Sequence, residues 1–293
     1  MSLLEARALV HVYPGNVHAL DRVDIRVERG KRLAILGPNG SGKTTLLLHL
    51  NGTLRPQSGE VLLDGEPAGH VAHSVLLGHS HGRGYDAASL NTWRRRVGLV
   101  LQNADDQLFA PAVAEDVSFG PLNLGLSEAE TRRRVSAALE ALHISHLAER
   151  ATHMLSFGQK KRVAIAGLVA MQPEILLLDE PTAGLDYLGT EDLLAVLEEL
   201  ERNGTTLVFT THDVELAYRF ADEVALFDGG KILAQGPVVA TLSDADLVKR
   251  AELDVPFLLK LGLRARELGI LGPDDPMPRT AAAALLLLGG KTL

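Results

Sequence analysis

The chain has 293 residues, 46% of them hydrophobic, no cysteine and a formal net charge of −8. That is enough apolar material for one large domain or two unequal ones, and the missing thiols exclude disulfides, zinc–thiolate centres and cysteine nucleophiles and match a reducing cytosol. The acidic balance offers no support for a nucleic-acid partner, which needs a basic face.

In chain order, the N-terminal MSLLEARALVHVYPG carries Glu5 and only a short apolar run, so it is not read as a signal peptide. The first third reads as strands and turns. Residues 33–36 are an apolar run that ends in glycines and leads into a helical pattern over residues 44–51, as in a parallel α/β sheet. Residues 61–63 read as a strand entering a turn at Asp64-Gly65. Residues 69–91, rich in Gly, Ser and His, read as a surface excursion, and residues 97–101 as a strand. Ser127 and Glu130 form a capping-box pattern that opens a helix running to about residue 143. Residues 157–171 read as a helix stopped by Pro173, so residues from about 104 to 171 make a mostly helical insert.

A buried strand over residues 175–178 follows, then a helix over 191–201 ended by Gly204 and a β-rich strand over 206–210. Residues 224–227 and 231–233 flank Asp228-Gly229-Gly230 and read as a hairpin. Beyond about Thr241 come short helical pieces and a linker-like break at residues 272–276. Phe257, Leu258, Leu259, Leu261 and Leu263 give one helix an apolar face, for packing on the main domain or on a second copy. The longest apolar run, 281–288, has 8 residues, against about 20 for a bilayer span. Any membrane contact is therefore expected to go through partners.

The run Gly37-Pro38-Asn39-Gly40-Ser41-Gly42-Lys43-Thr44, followed by Thr45, has the P-loop pattern in a strand–loop–helix setting. Its glycines let backbone N–H groups curl toward phosphate oxygens, and the helix adds its positive end. Lys43 would neutralise the β and γ phosphates, and the Thr44 hydroxyl would ligate Mg²⁺. Gly289-Gly290-Lys291-Thr292 is a decoy: Leu285 stands where the first glycine should be and no strand precedes it. The apolar run 175–178 delivers Asp179 and Glu180 to the C-terminal edge of a strand, where open α/β sheets place ligands. Asp179 suits Mg²⁺ and Glu180 suits aligning or deprotonating a water. Two acids at a strand end would mean little alone; beside a P-loop they make an ATP and Mg²⁺ site.

Leu155-Ser156-Phe157-Gly158-Gln159 resembles the LSGGQ signature of ABC (ATP-binding cassette) ATPases, with Phe157 in place of the first glycine, and lies 20 residues before Asp179. Taken alone, Ser156 would be an ordinary helix N-cap. Tyr13 is similar in position to the aromatic that stacks on adenine, though a core tyrosine fits equally well. Gln102 resembles the Q-loop glutamine that senses Mg²⁺ and the membrane partner. Ala183-Gly184-Leu185-Asp186 resembles the D-loop, otherwise a turn leading into a helix. His212 resembles the switch histidine, where a lone histidine would be structural.

The resemblance implies an α/β cassette: a P-loop NTPase with a RecA-like core, an antiparallel β subdomain and a helical subdomain at about 104–171, all within 1–240, plus a short helical extension over 241–293. It also implies two subunits facing head to tail. Each ATP would lie between one P-loop and the Ser156, Gly158, Gln159 and Asp186 region of the other subunit.

Residues 102–109 (QNADDQLF), 117–126 and 155–167 are similar to the cobalt/nickel branch of the energy-coupling factor (ECF) transporter ATPases. This resemblance implies a peripheral motor on the cytoplasmic face of the membrane. Its partners would be a second ATPase (an identical copy or a paralogue), a transmembrane coupling subunit and a small substrate-binding membrane subunit. The vitamin branch and other ABC transporters are the near alternatives. A soluble ABC ATPase would carry a long coiled coil or two cassettes, and neither is present. Asp105 and Asp106 read as a solvated or docking loop. His70, His73, His79 and His81 could hold Ni²⁺ or Co²⁺, but an exposed polar hairpin is the favoured reading of so short a His-rich tract.

Overall fold

The computed structural model describes residues 2–67 and 87–287. The four histidines of the Gly-rich excursion, the C-terminal Gly-Gly-Lys-Thr decoy and most of the 69–91 excursion lie outside the described residues. In order come β1 (Ser2–Tyr13), β2 (Val17–Glu28), β3 (Arg32–Leu36), α1 (Lys43–Leu50), β4 (Ser58–Leu63), β5 (Glu66–Pro67), α2 (Ala87–Arg96) and β6 (Val97–Val100). Between β6 and the next strand lie α3 (Val113–Asn123), α4 (Glu128–Ala141) and α5 (Phe157–Val169). Then follow β7 (Ile175–Leu178), α6 (Tyr187–Arg202), β8 (Thr206–Thr211), α7 (Val214–Phe220), β9 (Glu223–Asp228) and β10 (Lys231–Pro237). The chain finishes with α8 (Val238–Ser243), α9 (Ala245–Arg250), α10 (Phe257–Glu267) and α11 (Ala281–Leu287).

Two sheets organise the fold. The smaller is antiparallel at its β1–β2, β1–β4 and β4–β5 pairs, in the order β2-β1-β4-β5. The larger runs β10-β9-β3-β8-β7-β6, parallel except for the β9–β10 hairpin. In β3 and β7 the apolar runs are buried throughout from Leu33 and Ile175 onward, because both faces of this sheet are covered. The two-residue period of a strand sorts them between two cores. Ala34, Leu36, Leu176 and Leu178 face the cluster shared with α3 to α10. Leu33, Ile35, Ile175 and Leu177 face the cluster shared with β1, β2, β4 and α1. Leu259, Ala265, Leu271 and Met277, all past residue 240, belong to the first of these clusters. On α10, Leu259 packs on the main domain, while Phe257 at its start is exposed. Among the described residues no helix is long and apolar enough to cross a membrane.

Three local expectations need correcting. Helix α2 begins at Ala87, inside what the sequence marks as excursion. Its apolar anchor is Trp93, which is buried and donates Nε1–H to Leu50 O at 2.9 Å, and Arg94, Arg95 and Arg96 add polar contacts to Gly52 O, Leu124 O and Glu174. Helix α6 begins at Tyr187, four residues before Glu191, because Asp186 Oδ1 caps the Gly189 N–H at 2.7 Å. Its first turn exposes Tyr187 and Leu188, so no amphipathic pattern announces it. At α4 only half of the capping box forms. Ser127 Oγ accepts from Glu130 N, while the Glu130 carboxylate turns to Arg133 and Arg134 at 2.7 Å each. The complete box stands at Ser156 and Gln159.

Candidate functional site

Register brings the motif residues to one edge. Leu36 pairs with Thr211, and Leu178 with Phe209. The loops after β3, β7 and β8 therefore leave the sheet at one level and carry Gly37 to Lys43, Asp179 with Glu180, and His212. The P-loop turn is built around glycines that tolerate no side chain. A Cβ on Gly37 would lie 1.9 Å from Phe227 O, and one on Gly42 (φ +110°) 2.3 Å from Ala19 O. Helix α1 starts at Gly42 with no side-chain cap, so its first-turn N–H groups are left for an outside acceptor. The Ser41 hydroxyl is buried without a partner among the described residues. Asn39 and Gly40 form the exposed crest of the loop.

Lys43 is buried; its Nζ donates to Gly37 O at 2.8 Å and Pro38 O at 2.9 Å, and lies 3.9 Å from Glu180 Oε1. Burial pulls its pKa down, and the charges of Glu180 and Asp179 oppose that. The Thr44 hydroxyl donates to Asp179 Oδ2 at 2.7 Å. These are hard oxygen donors from a hydroxyl and a carboxylate, the set Mg²⁺ takes, so the residues fit the ion. Gln102 is exposed two residues past Val100, whose carbonyl accepts the Asp179 N–H at 2.9 Å. It stands next to the acidic loop, with no hydrogen bond to Thr44 or Asp179 among the described residues.

Glu180 is 6% exposed, and its Oε1 lies 3.1 Å from His212 Nδ1. Its backbone φ of +44° is in the left-handed region, a costly place for a non-glycine residue. Two residues given no role at the site by the sequence hold it there. Thr210, buried on β8, donates its hydroxyl to Asp179 Oδ1 at 2.5 Å and accepts the Glu180 N–H at 3.0 Å. Lys161, on α5, donates to Glu180 O at 3.0 Å. Sequence marks Thr210 only as a strand residue, and its role becomes visible once β8 is known to lie between β3 and β7.

Tyr13 ends β1 beside α1. Its hydroxyl is 3.3 Å from Thr45 Oγ1, and its half-exposed ring meets His11 edge-on at 4.5 Å. The signature residues lie elsewhere. Ser156, Gly158 and Gln159 share a concavity of about 440 Å³ with Gly184 and Asp186, and none of them hydrogen-bonds the P-loop among the described residues. Ser156 and Asp186 act as N-caps here, as their plain structural readings require. Asp105 pairs with Lys160 at 2.5 Å, a loop-to-helix contact.

The model of the ABC transporter family matches residues 20–183, more than half of the chain. The chain belongs to the ABC transporter family. It is an ATP-binding, ATP-hydrolysing cassette of that family, with the cassette fold. It is 57% identical, over 99% of its length and 98% of the relative's, to the cobalt import ATP-binding protein CbiO of Rhodobacter capsulatus. It is 46% identical, over 92% of each chain, to the energy-coupling factor transporter ATP-binding protein EcfA of Methanoculleus marisnigri. Among solved structures, cbiO1 of Clostridium perfringens, described as part of the ABC transporter complex cbiONQ, superposes with a TM-score of 0.72 at 36% identity, covering 92% of this cassette and 97% of its own chain. A dimeric cassette bound to ADP and phosphate superposes with a TM-score of 0.69 at 27% identity, covering 80% of this chain and 99% of its own.

Proposed function

We propose that this cassette powers import of a transition-metal ion, cobalt or nickel, through an ECF-type transporter. It would work on the cytoplasmic face of the membrane with a second ATPase subunit, a transmembrane coupling subunit and a substrate-binding membrane subunit. The cargo assignment rests on near full-length likeness to a cobalt import protein. One observation carries the catalytic assignment: Glu180 Oε1 lies within 3.1 Å of His212 Nδ1 and 3.9 Å of Lys43 Nζ at the mouth of the P-loop.

In this reading the P-loop residues Gly37 to Thr45 cradle the phosphates, and Tyr13 stacks on adenine. Lys43 leaves its loop carbonyls for the β and γ phosphates. Mg²⁺, held by Thr44 and Asp179 with Gln102 alongside, would neutralise charge on those phosphates. Glu180 takes the proton of the attacking water as its oxygen bonds to the γ-phosphorus and the bond to ADP breaks. His212, with Nδ1 on Glu180, has Nε2 left for the γ-phosphate. Ser156, Gly158, Gln159 and Asp186 serve the nucleotide of the second subunit. Phe109 and Phe119, exposed and edge-to-face at 4.5 Å, give the Gln102 loop an apolar surface for the membrane partner.

Uptake by cells expressing the whole transporter tests this reading. Cobalt or nickel accumulation is expected with the native chain and is expected to vanish with Lys43→Ala. Accumulation of a vitamin instead of either metal would overturn the cargo assignment and leave the ATPase assignment standing.

A further inference from the structure

Lys161 is 1% exposed, and among the described residues it has no carboxylate partner within ion-pair distance. A buried ammonium is costly unless its donors are satisfied. This one is spent on two backbone carbonyls of the acidic loop, Glu180 O at 3.0 Å and Ala183 O at 3.5 Å. Glu180 is therefore gripped at both ends of its own residue: its N–H by Thr210 of β8 and its C=O by Lys161 of α5. That grip holds a glutamate at φ +44°, and it fixes the direction in which the carboxylate leaves the chain. A second link joins the same elements. The Phe157 ring sits 5.2 Å from Lys161 Nζ and covers Gly184, where an added Cβ would come within 2.8 Å of the ring.

We infer that Lys161 is a positioning residue for hydrolysis. It ties the backbone of Glu180 to the signature helix α5, so that a shift of α5 is felt at the hydrolytic carboxylate. The inference rests on Glu180 being the base. A lysine that served only the fold would alter stability and leave turnover per folded molecule alone.

The test is ATP turnover by the purified transporter complex carrying Lys161→Met, Lys161→Gln, Lys161→Arg or Glu180→Gln. Folded content is checked by circular dichroism, and ATP affinity by a fluorescent nucleotide. Lys161→Met is expected to lower kcat by about tenfold or more with KM for ATP within about threefold, the split that marks loss of a contact serving the transition state. Lys161→Gln, which keeps a donor if the methionine variant does not fold, is expected to fall between. Lys161→Arg is expected to recover kcat to within about threefold of the native value, since its guanidinium keeps the charge and the donors. Native kcat in a folded Met or Gln variant overturns the inference. Native kcat in Glu180→Gln overturns the assignment of the base instead.

Discussion

In the proposed mechanism Glu180 takes the proton of the attacking water, and its neighbours show how narrow the tolerance at this one peptide is. Thr210 has one hydroxyl for two tasks, donating to Asp179 and accepting from the Glu180 N–H. Thr210→Val keeps the shape and orphans both groups, at a cost of about 1–3 kcal/mol for each buried group left unpaired. Thr210→Ser keeps the hydroxyl. The valine variant is expected to lose both thermal stability and turnover, and the serine variant to retain most of each, in paired melting and ATPase measurements. Lys161 gives a pH signature. Burial pushes its pKa down to about 8 from the usual 10.5, so between those pH values the unfolded chain holds more protons than the folded one. Raising pH through that window therefore adds stability. Native protein is expected to gain resistance to urea from pH 8 toward 10.5 beyond that of Lys161→Met. Equal pH dependence in the two proteins would show that Lys161 is not desolvated as its position requires.

The elements most legible in the sequence were those with two signals at once. The β3–loop–α1 unit combined an apolar run with glycines and Lys43-Thr44, and β7 combined four apolar residues with Asp179-Glu180. What stayed hidden depended on sheet order. Nothing local says that β8 sits between β3 and β7, so Thr210 had no mark, and Lys161, although inside the family-like run 155–167, had none that pointed to Glu180. Helix α2 hid because a buried tryptophan and three arginine contacts take the place of an apolar face. The role of α7 was hidden for a similar reason. It begins at Val214, capped by the Asp213 side chain and two residues past His212. Residues far along the chain hold it from outside. Glu215 Oε1 accepts the Phe257 N–H at 2.7 Å, and Tyr218 donates its hydroxyl to Pro278 O at 3.0 Å. Arg279 donates to the carbonyls of Tyr218 at 2.8 Å and Arg219 at 3.2 Å, and to that of Ala221. Hydrogen bonds from a charged group contribute about 1.5–3 kcal/mol. Arg279→Ala is expected to lower the melting temperature by several degrees, on the scale of about 2–4 °C per kcal/mol for a chain of this size. Arg279→Lys, with fewer and less directed donors, is expected to fall between. An unchanged melting temperature in the alanine variant would show that α7 needs no clamp.

Across the whole molecule, the two groups of residues proposed to make up a nucleotide site lie apart. Lys43, Thr44, Asp179, Glu180 and His212 converge at one sheet edge, while Ser156, Gly158 and Gln159 open into a separate concavity beside Asp186. In the proposed mechanism a second copy would place its signature on the first copy's nucleotide. ATP would then bind the closed pair better than the open one, and that difference alone drives closure. Glu180→Gln should preserve binding and remove the step that ends it. Purified Glu180→Gln with ATP and Mg²⁺ is expected to run at twice the 31.4 kDa mass of one chain in light scattering. The native protein under the same conditions returns to the single-chain mass as ATP is consumed. Adding Ser156→Ala to Glu180→Gln removes a hydroxyl at the start of α5 and should weaken the pair without changing the P-loop. A Glu180→Gln protein that binds ATP yet stays at single-chain mass would mean that this cassette closes on a different subunit, and a paralogue would then take the place of the second copy.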